Sequence, residues 1–500
     1  MLSSGILGYT VIMRLIMAIL AVKSTSVDKN FSLTHFLKKL GTATATGATL
    51  WMLQAGIASA FTPLTRTQTF LNPTPANDDQ FGWSVSISGN NVLIGAYRDD
   101  TGNTNSGAAY LFDGVTGNLR QTLLNPTPGF FDEFGRSVSI SGDNVLIGAR
   151  GDSSGGAAYL FNGVTGNLQQ TFLNPNPARG GFGYSVAVSG NNLLIGKPYD
   201  DGGGLYSGAA YLYDRVTGNL LQTFRKPTPT RDDSFGESVA ISGDKILISV
   251  PFDDTAGTEG GAAYLYDGVT GNLLQTFLNP NPANSTFFSR DAVAISGNNV
   301  LIGSSLDNTG ANASGVAYLF DGVTGNLLHT FLNPSPALGA KFGSSVSISG
   351  NNVLIGAPNA TTTAGTQSGA AYLYDGVTGN LLQTLLNPAP TGVFDQFGSS
   401  VSISGNNVLI GAYGNNTGAT ISGAAYLFQP TQEPPSSVPE GDNVVGLLLI
   451  GLMGIITGLP PYRNTKKLTK PLLPGASQKK LKRRYWVHFP FENGCTVDCI

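Results

Sequence analysis

Cysteine is almost missing from this 500-residue chain, since the two present, Cys495 and Cys499, both lie within the last six residues. The rest of the chain can use neither disulfide staples nor thiolate metal sites. Charge is sparse too, at 12% of residues. Between residues 61 and 429 there are 14 Lys+Arg against 25 Asp+Glu, a balance of −11. Such a surface lacks the clustered cations that phosphate needs, which disfavours nucleic acid, and no nucleic acid is expected as a partner. Histidine is scarcer still. His329 is the only one in that stretch, at a strand position where most sister copies carry Gln, so it reads as a tolerated surface residue. No HExxH or P-loop pattern occurs. Without a positioned nucleophile or base, catalysis is not the first reading.

Glycine and proline are abundant, at 66 and 27 residues, and 41% of the chain is hydrophobic. This is the composition of a turn-rich, strand-rich body with a large core, not of a disordered chain. One unit recurs. Phe-Gly pairs begin at Phe81, Phe134, Phe182, Phe235, Phe342 and Phe397, with Phe288-Ser289 as a worn copy, at spacings of 53, 48, 53, 53, 54 and 55 residues. A fixed period of this length marks a solenoid or a propeller.

Each unit carries four strand signals. Ser84 to Ser88 (SVSIS) alternates apolar and polar residues, as a pleated strand does. Gly89-Asn90 supplies a tight turn, and Asn91 to Ala96 (NVLIGA) reads as a strand buried on both faces. After a variable loop come residues 107–112 (GAAYLF), the turn DGVTGN and residues 119–123 (LRQTL). Four hairpin-linked strands make one antiparallel blade. The third strand recurs seven times but the fourth follows it only six times, and the missing copy stands at the start, in TRTQTFL from Thr65. The expected fold is all-β: a seven-bladed propeller of four-stranded blades, its last blade completed by the N-terminal strand, with helices at both termini. A closed ring of this kind leaves no open edge between first and last blades.

The Phe-Gly starts and Gly356-Ala357-Pro358 resemble the FG-GAP repeats of integrin α propellers and of bacterial surface proteins, over about residues 64–428. The resemblance implies binding through blade loops. Integrin-type repeats often add a calcium loop of spaced acids between the first two strands. Here that place holds only a two-residue turn such as SGNN, so those sites do not carry over. Acids appear instead in the loop before the third strand, at Asp99-Asp100, Asp152, Asp200-Asp201, Asp253-Asp254 and Asp307. They read as solvated acids on one rim, with calcium binding as the alternative and no other cofactor expected. A second set, Asp78-Asp79, Asp132-Glu133, Asp232-Asp233 and Asp395, precedes the Phe-Gly pairs and fits turn capping. Arg150-Gly151-Asp152 spells an integrin-binding tripeptide, in one shortened loop only, and reads as coincidence.

The two ends suggest export. Lys38-Lys39, an apolar run and Ala58-Ser59-Ala60 form a basic region, a hydrophobic region and a small-residue cleavage site, with Ala58 and Ala60 as the cleavage-site residues. Either the leader is extended or the true start lies downstream of Met1. At the other end an uncharged apolar run begins at Val444 and ends at Leu459, followed by Arg463, Lys466 and Lys467, which favour a cytoplasmic C-terminus. With Val438-Pro439-Glu440 before it, this cluster resembles a PEP-CTERM sorting tail, although Gly441 replaces a proline and about 30 residues follow the basic patch. A plain membrane anchor is the alternative. The organisation expected is a leader over 1–60, the propeller over 61–429, a Pro-rich linker over 430–443, a transmembrane or sorting helix over 444–459 and a basic tail over 460–500. The expected function is a non-catalytic surface module binding an extracellular protein or glycan, reached through export and sorting machinery and held at the membrane by the C-terminal segment. A secreted or anchored hydrolase or lyase acting on polysaccharide is the alternative.

Overall fold

The computed structural model describes residues 61–431, apart from 178, 282–287 and 291. The leader with Ala58 and Ala60, and the tail with Val444, Leu459, Arg463, Lys466 and Lys467, lie outside the described residues, as do both expected terminal helices. The described residues form 28 strands in seven four-stranded sheets. In the first full blade the order is Ser84–Ser88, Asn91–Ala96, Ala108–Asp113 and Leu119–Leu124, each antiparallel to the next. The fourth strand of the sheet containing Ala424–Pro430 is Leu64–Leu71, with Gln68 opposite Leu427 and Thr69 opposite Tyr426.

The period-two pattern of the innermost strands has a use beyond pleating. Their valine and isoleucine face the core between sheets, and their serines bind the next blade. Ser84 Oγ donates to the Gly135 carbonyl at 2.8 Å. Ser86 Oγ accepts from the Ile140 N–H at 3.1 Å, and Ser88 Oγ from the Gly142 N–H at 3.0 Å. Equivalent bonds recur around the axis and cross the junction between last and first blades, from Ser400 to Gly82, Ser402 to Ile87 and Ser404 to Gly89.

The second strands are buried on both faces, as their apolar runs require. Their glycine lets neighbouring blades touch. A Cβ on Gly356 would stand 2.1 Å from the Gly398 carbonyl oxygen of the next blade, and Gly95, Gly148, Gly196, Gly303 and Gly411 meet the same obstacle. Only at the junction with the worn copy does the pair change. Ser249 replaces the strand glycine and Ser289 the glycine of the Phe-Gly pair. Ser289 keeps the left-handed backbone (φ 70°) and donates from Oγ to the Ala262 carbonyl at 2.6 Å.

Aromatic side chains fill each blade. Phe81, Phe134, Phe182, Phe235, Phe288, Phe342 and Phe397 are all fully buried. Each packs on two rings of its own third strand, as Phe81 does on Tyr110 and Phe112 with centroids 5.7 and 6.1 Å apart. The outer-strand Phe70 reaches across to Phe112 of the following blade at 4.9 Å. At the rim of the short turns, outer-strand glutamines hold the next blade, as Gln121 Nε2 does on the Val164 carbonyl at 3.1 Å. His329 takes the same place, its Nε2–H donating to the Val377 carbonyl at 3.1 Å. It is therefore a glutamine substitute in the frame.

The glycine contact gives a direct test. Gly356→Ala should lower stability by about 2–3 kcal/mol, because backbone cannot yield as a flexible side chain would. Gly350→Ala, in a turn where a Cβ meets nothing within 4 Å, should cost only about 1 kcal/mol through its left-handed φ. Urea midpoints of the two variants check the contrast.

Candidate functional site

The two ends of each blade differ. The Asn90 carbonyl accepts from the Gly114 N–H at 2.7 Å, so the turn joining the first two strands and the turn joining the last two share a lower rim. The loops between second and third strands, and those between blades, form the upper rim. Every non-glycine residue with positive φ lies in these upper loops, among them Asp78, Asn105, Tyr206, Asp232 and Glu259.

The rim acids are not solvated as expected. In each pair the first carboxylate is buried and the second is not: Asp99, Asp200 and Asp253 are at most 2% exposed, whereas Asp100 and Asp254 are exposed and Asp201 is half-buried. The reason is a tyrosine of the third strand. Asp99 accepts from the Tyr110 hydroxyl at 2.7 Å, Asp200 from Tyr211 at 2.9 Å and Asp253 from Tyr264 at 2.8 Å. Their other oxygens take main-chain N–H groups two residues on, Thr101, Gly202 and Thr255. Asp152 and Asp307 repeat the pattern with Tyr159 and Tyr318. The second members fold the loop: Asp100, Asp201 and Asp254 accept from the N–H groups of Asn105, Tyr206 and Glu259. These carboxylates are filled by protein donors and do not fit a cation as they stand. Among the described residues no group of three or more His, Cys, Asp or Glu is placed to hold a metal ion.

The second acidic set does cap turns. Asp79 is buried and accepts from Asn72 Nδ2 at 2.7 Å and from the Ala76 N–H at 2.6 Å. Desolvation pushes its pKa up to about 6, against the pull of the Ala76 N–H and with help from the neighbouring charge of Asp99. Asp132 is raised as well, first by burial. Blades three and four solve the same problem with cations. Lys226 stands where other blades have asparagine, and its Nζ lies 2.9 Å from Asp233 and 3.0 Å from Asp253. Lys197, fully buried where other blades have a small residue, lies 3.0 Å from Asp200, which Arg225 reaches at 3.0 Å from the other side. Burial would raise Asp200 and Asp253, but hydrogen bonds and these cations hold both below the usual carboxylate range.

Many of the residues that sequence reasoning missed sit at two positions, the one after each Phe-Gly pair and the two after each second strand, and others, Arg179, Tyr206 and Glu259, sit within the upper loops. In otherwise repetitive units these positions vary freely. Trp83 lies 4.8 Å from both Tyr97 and Tyr413. The Arg136 guanidinium stacks between Trp83, Tyr97 and Tyr184 at 5.2–5.3 Å. Tyr184 meets Tyr199, and Tyr199 meets Tyr206, edge to face at 6.0 Å. Arg179 covers Tyr206 at 5.1 Å. The result is a belt of alternating rings and guanidinium groups along one side of the upper rim. It borders an axial cavity of about 530 Å³ and ends at a rim pocket of about 540 Å³ lined by Arg179, Tyr199, Tyr206, Asp232, Phe252 and Glu259. The tripeptide Arg150-Gly151-Asp152 is not on display. Arg150 pairs with Glu133 and stacks on Tyr184, and Asp152 is buried against Tyr159.

A family model described as FG-GAP repeat matches residues 65–112, 121–161, 178–213, 229–266, 336–374 and 388–428. The unmatched stretch contains the worn copy at Phe288-Ser289. No curated protein matches the chain.

Asp79 sets a pH dependence with a definite sign. Its folded pKa lies above the unfolded value, so its stabilising contribution is complete below about pH 4 and is lost as pH rises through about 6. Relative to Asp79→Asn, the natural chain should lose about 2–3 kcal/mol between pH 4 and pH 7. Urea unfolding of both proteins across that range measures it.

Proposed function

The chain carries FG-GAP repeats folded as a seven-bladed propeller, and on that premise we propose that it is an exported, surface-displayed, non-catalytic binding module. It meets an extracellular protein or glycan through its upper-rim loops. The observation that carries this reading is the contrast between frame and rim. Blade junctions repeat the same glycines, serines and glutamines, whereas the belt residues differ from blade to blade and gather aromatic and charged groups on one side. Rigid scaffolds that vary only in loops are suited to recognition.

The chain ends favour the same reading. The Thr431 N–H donates to the Pro63 carbonyl at 3.4 Å, so both ends leave together. They do so at the lower rim, where Gln383 holds Leu64 as its sister glutamines hold turns. We read the pairing of Leu64–Leu71 with Ala424–Pro430 as the clasp of the ring. A leader cut after Ala60 would export the propeller, and a membrane or sorting segment from Val444 to Leu459 would hold it at the cell surface. The second reading, a polysaccharide hydrolase or lyase, is favoured only by Asp232 and Glu259 sharing one pocket with aromatic residues.

Two measurements test the proposal. Material recovered from the cell envelope should start at Phe61 by N-terminal sequencing, and intact cells should expose the propeller to protease. The purified chain on arrays of glycans and surface proteins, with and without calcium, should retain at least one ligand, and Trp83→Ala should weaken rim binding about tenfold. A chain that stays in the cytoplasm refutes display. Release of shortened saccharides replaces binding with catalysis.

A further inference from the structure

We infer that the pocket between blades three and four is a binding site for a neutral oligosaccharide, a conclusion that rests on the upper rim being the ligand face. Four loops build its walls, carrying Arg179, Tyr199 with Tyr206, Asp232, and Phe252 with Glu259. Tyr199 precedes the buried Asp200, Phe252 precedes the buried Asp253, and Asp232 precedes the buried Asp233, so each of these three stands beside a carboxylate fixed from below. In these blades the fixing is done by buried cations. Lys226 ties Asp233 to Asp253, and Lys197 and Arg225 tie down Asp200. Sister blades place Asn72, Asn125, Asn174, Asn279, Asn333 and Asn387 where Lys226 stands. The cations thus lock the floor of a rim pocket whose walls are aromatic.

The lining defines the ligand class. Tyr199 is 38% exposed, and the half-buried Tyr206 meets it at 78°, so the two rings form a corner facing the pocket, with Phe252 as the third ring. Aromatic faces suit the C–H faces of sugar rings, and carboxylate or guanidinium groups at the margin suit their hydroxyls. Charge selects further. The charges at the margin are Arg179, paired with Asp201 at 2.8 Å, Asp232, paired with Arg231 at 3.0 Å, and the Glu259 carboxylate. An acidic sugar would meet a net negative site. An extended peptide finds no strand edge here, because the loops bond to one another: the N–H groups of Asp232 and Ser234 donate to the carbonyls of Leu205 and Tyr206. The volume, about 540 Å³, lies within the range of small-ligand sites and accommodates roughly two sugar rings.

The test is calorimetric titration of the full chain with neutral gluco-, manno-, galacto-, xylo- and N-acetylglucosamine oligosaccharides. Uronate and sulfated oligosaccharides and Lys/Arg-rich peptides form the comparison arms. At least one neutral series should bind, and Tyr199→Ala and Phe252→Ala should each weaken it about tenfold or more with the thermal midpoint unchanged. Lys226→Asn, which restores the sister residue and touches no ligand, should weaken the same sugar by loosening the floor. Neutral sugars that bind equally to all these variants but are lost in Trp83→Ala would overturn the pocket while leaving the rim as the ligand face. Binding confined to acidic sugars or to peptides would overturn the ligand class. Failure of every probe, alongside silent protein arrays, would remove the rim reading itself.

Discussion

The structure depends on how closely one blade approaches the next. A second-strand glycine lies against the carbonyl of the following Phe-Gly pair, at a distance that leaves no room for a methyl group. Once the sheets are that close, the innermost serines can bridge them, and the buried phenylalanines can share rings across the gap. A bulkier side chain at the glycine would separate the strands and break both sets of contacts together. Residues at the junctions are therefore bound to repeat. The worn copy supports this, since its two glycine positions change as a pair and the new hydroxyl of Ser289 takes the very carbonyl that glycine elsewhere approaches.

Burial of carboxylates is the second constraint, and the molecule meets it in two ways. Outside blades three and four the acid after the second strand takes a tyrosine hydroxyl and a main-chain N–H, and the acid before the Phe-Gly pair takes an asparagine amide and a main-chain N–H. Neutral donors leave the buried charge uncompensated, so desolvation first, with the neighbouring charge of Asp99 adding to it, makes Asp79 resist ionisation. Blades three and four insert ammonium and guanidinium groups, and there Asp200 and Asp253 ionise readily. A buried ion pair is weak evidence of extra stability, because desolvation offsets most of the attraction. Its geometric effect is clearer: it fixes loop positions that a neutral network holds more loosely. That fixing coincides with the pocket.

Much of the fold was legible because the signals were periodic. Phe81 and its six counterparts set the blade count, and SVSIS, NVLIGA and GAAYLF set the strands to within a residue or so. The site was less legible, for reasons of geometry. Asp99 and Asp100 are neighbours in a polar loop, and nothing local tells that one turns inward to Tyr110, eleven residues on in another strand. The belt was hidden differently. Trp83, Arg136 and Tyr184 are single residues in separate repeats, and only the packing of successive blades brings them within stacking distance. Variation at one fixed position, directly after an otherwise constant Phe-Gly, was the available signal. His329 shows the converse. Its rarity drew attention as a chemical group, yet its neighbours use it only as a hydrogen-bond donor in the place of glutamine.

These constraints also decide where recognition can arise. Inner serines, second-strand glycines and outer glutamines are committed to blade junctions, and the lower turns are bound by the glutamines of adjacent blades. The upper loops alone combine variable length, left-handed residues and side chains with no duty at a junction. The described residues begin and end side by side at the lower rim, on the side of the propeller opposite the belt, so the strand pairing at that junction and the variable upper loops make no demand on the same residues.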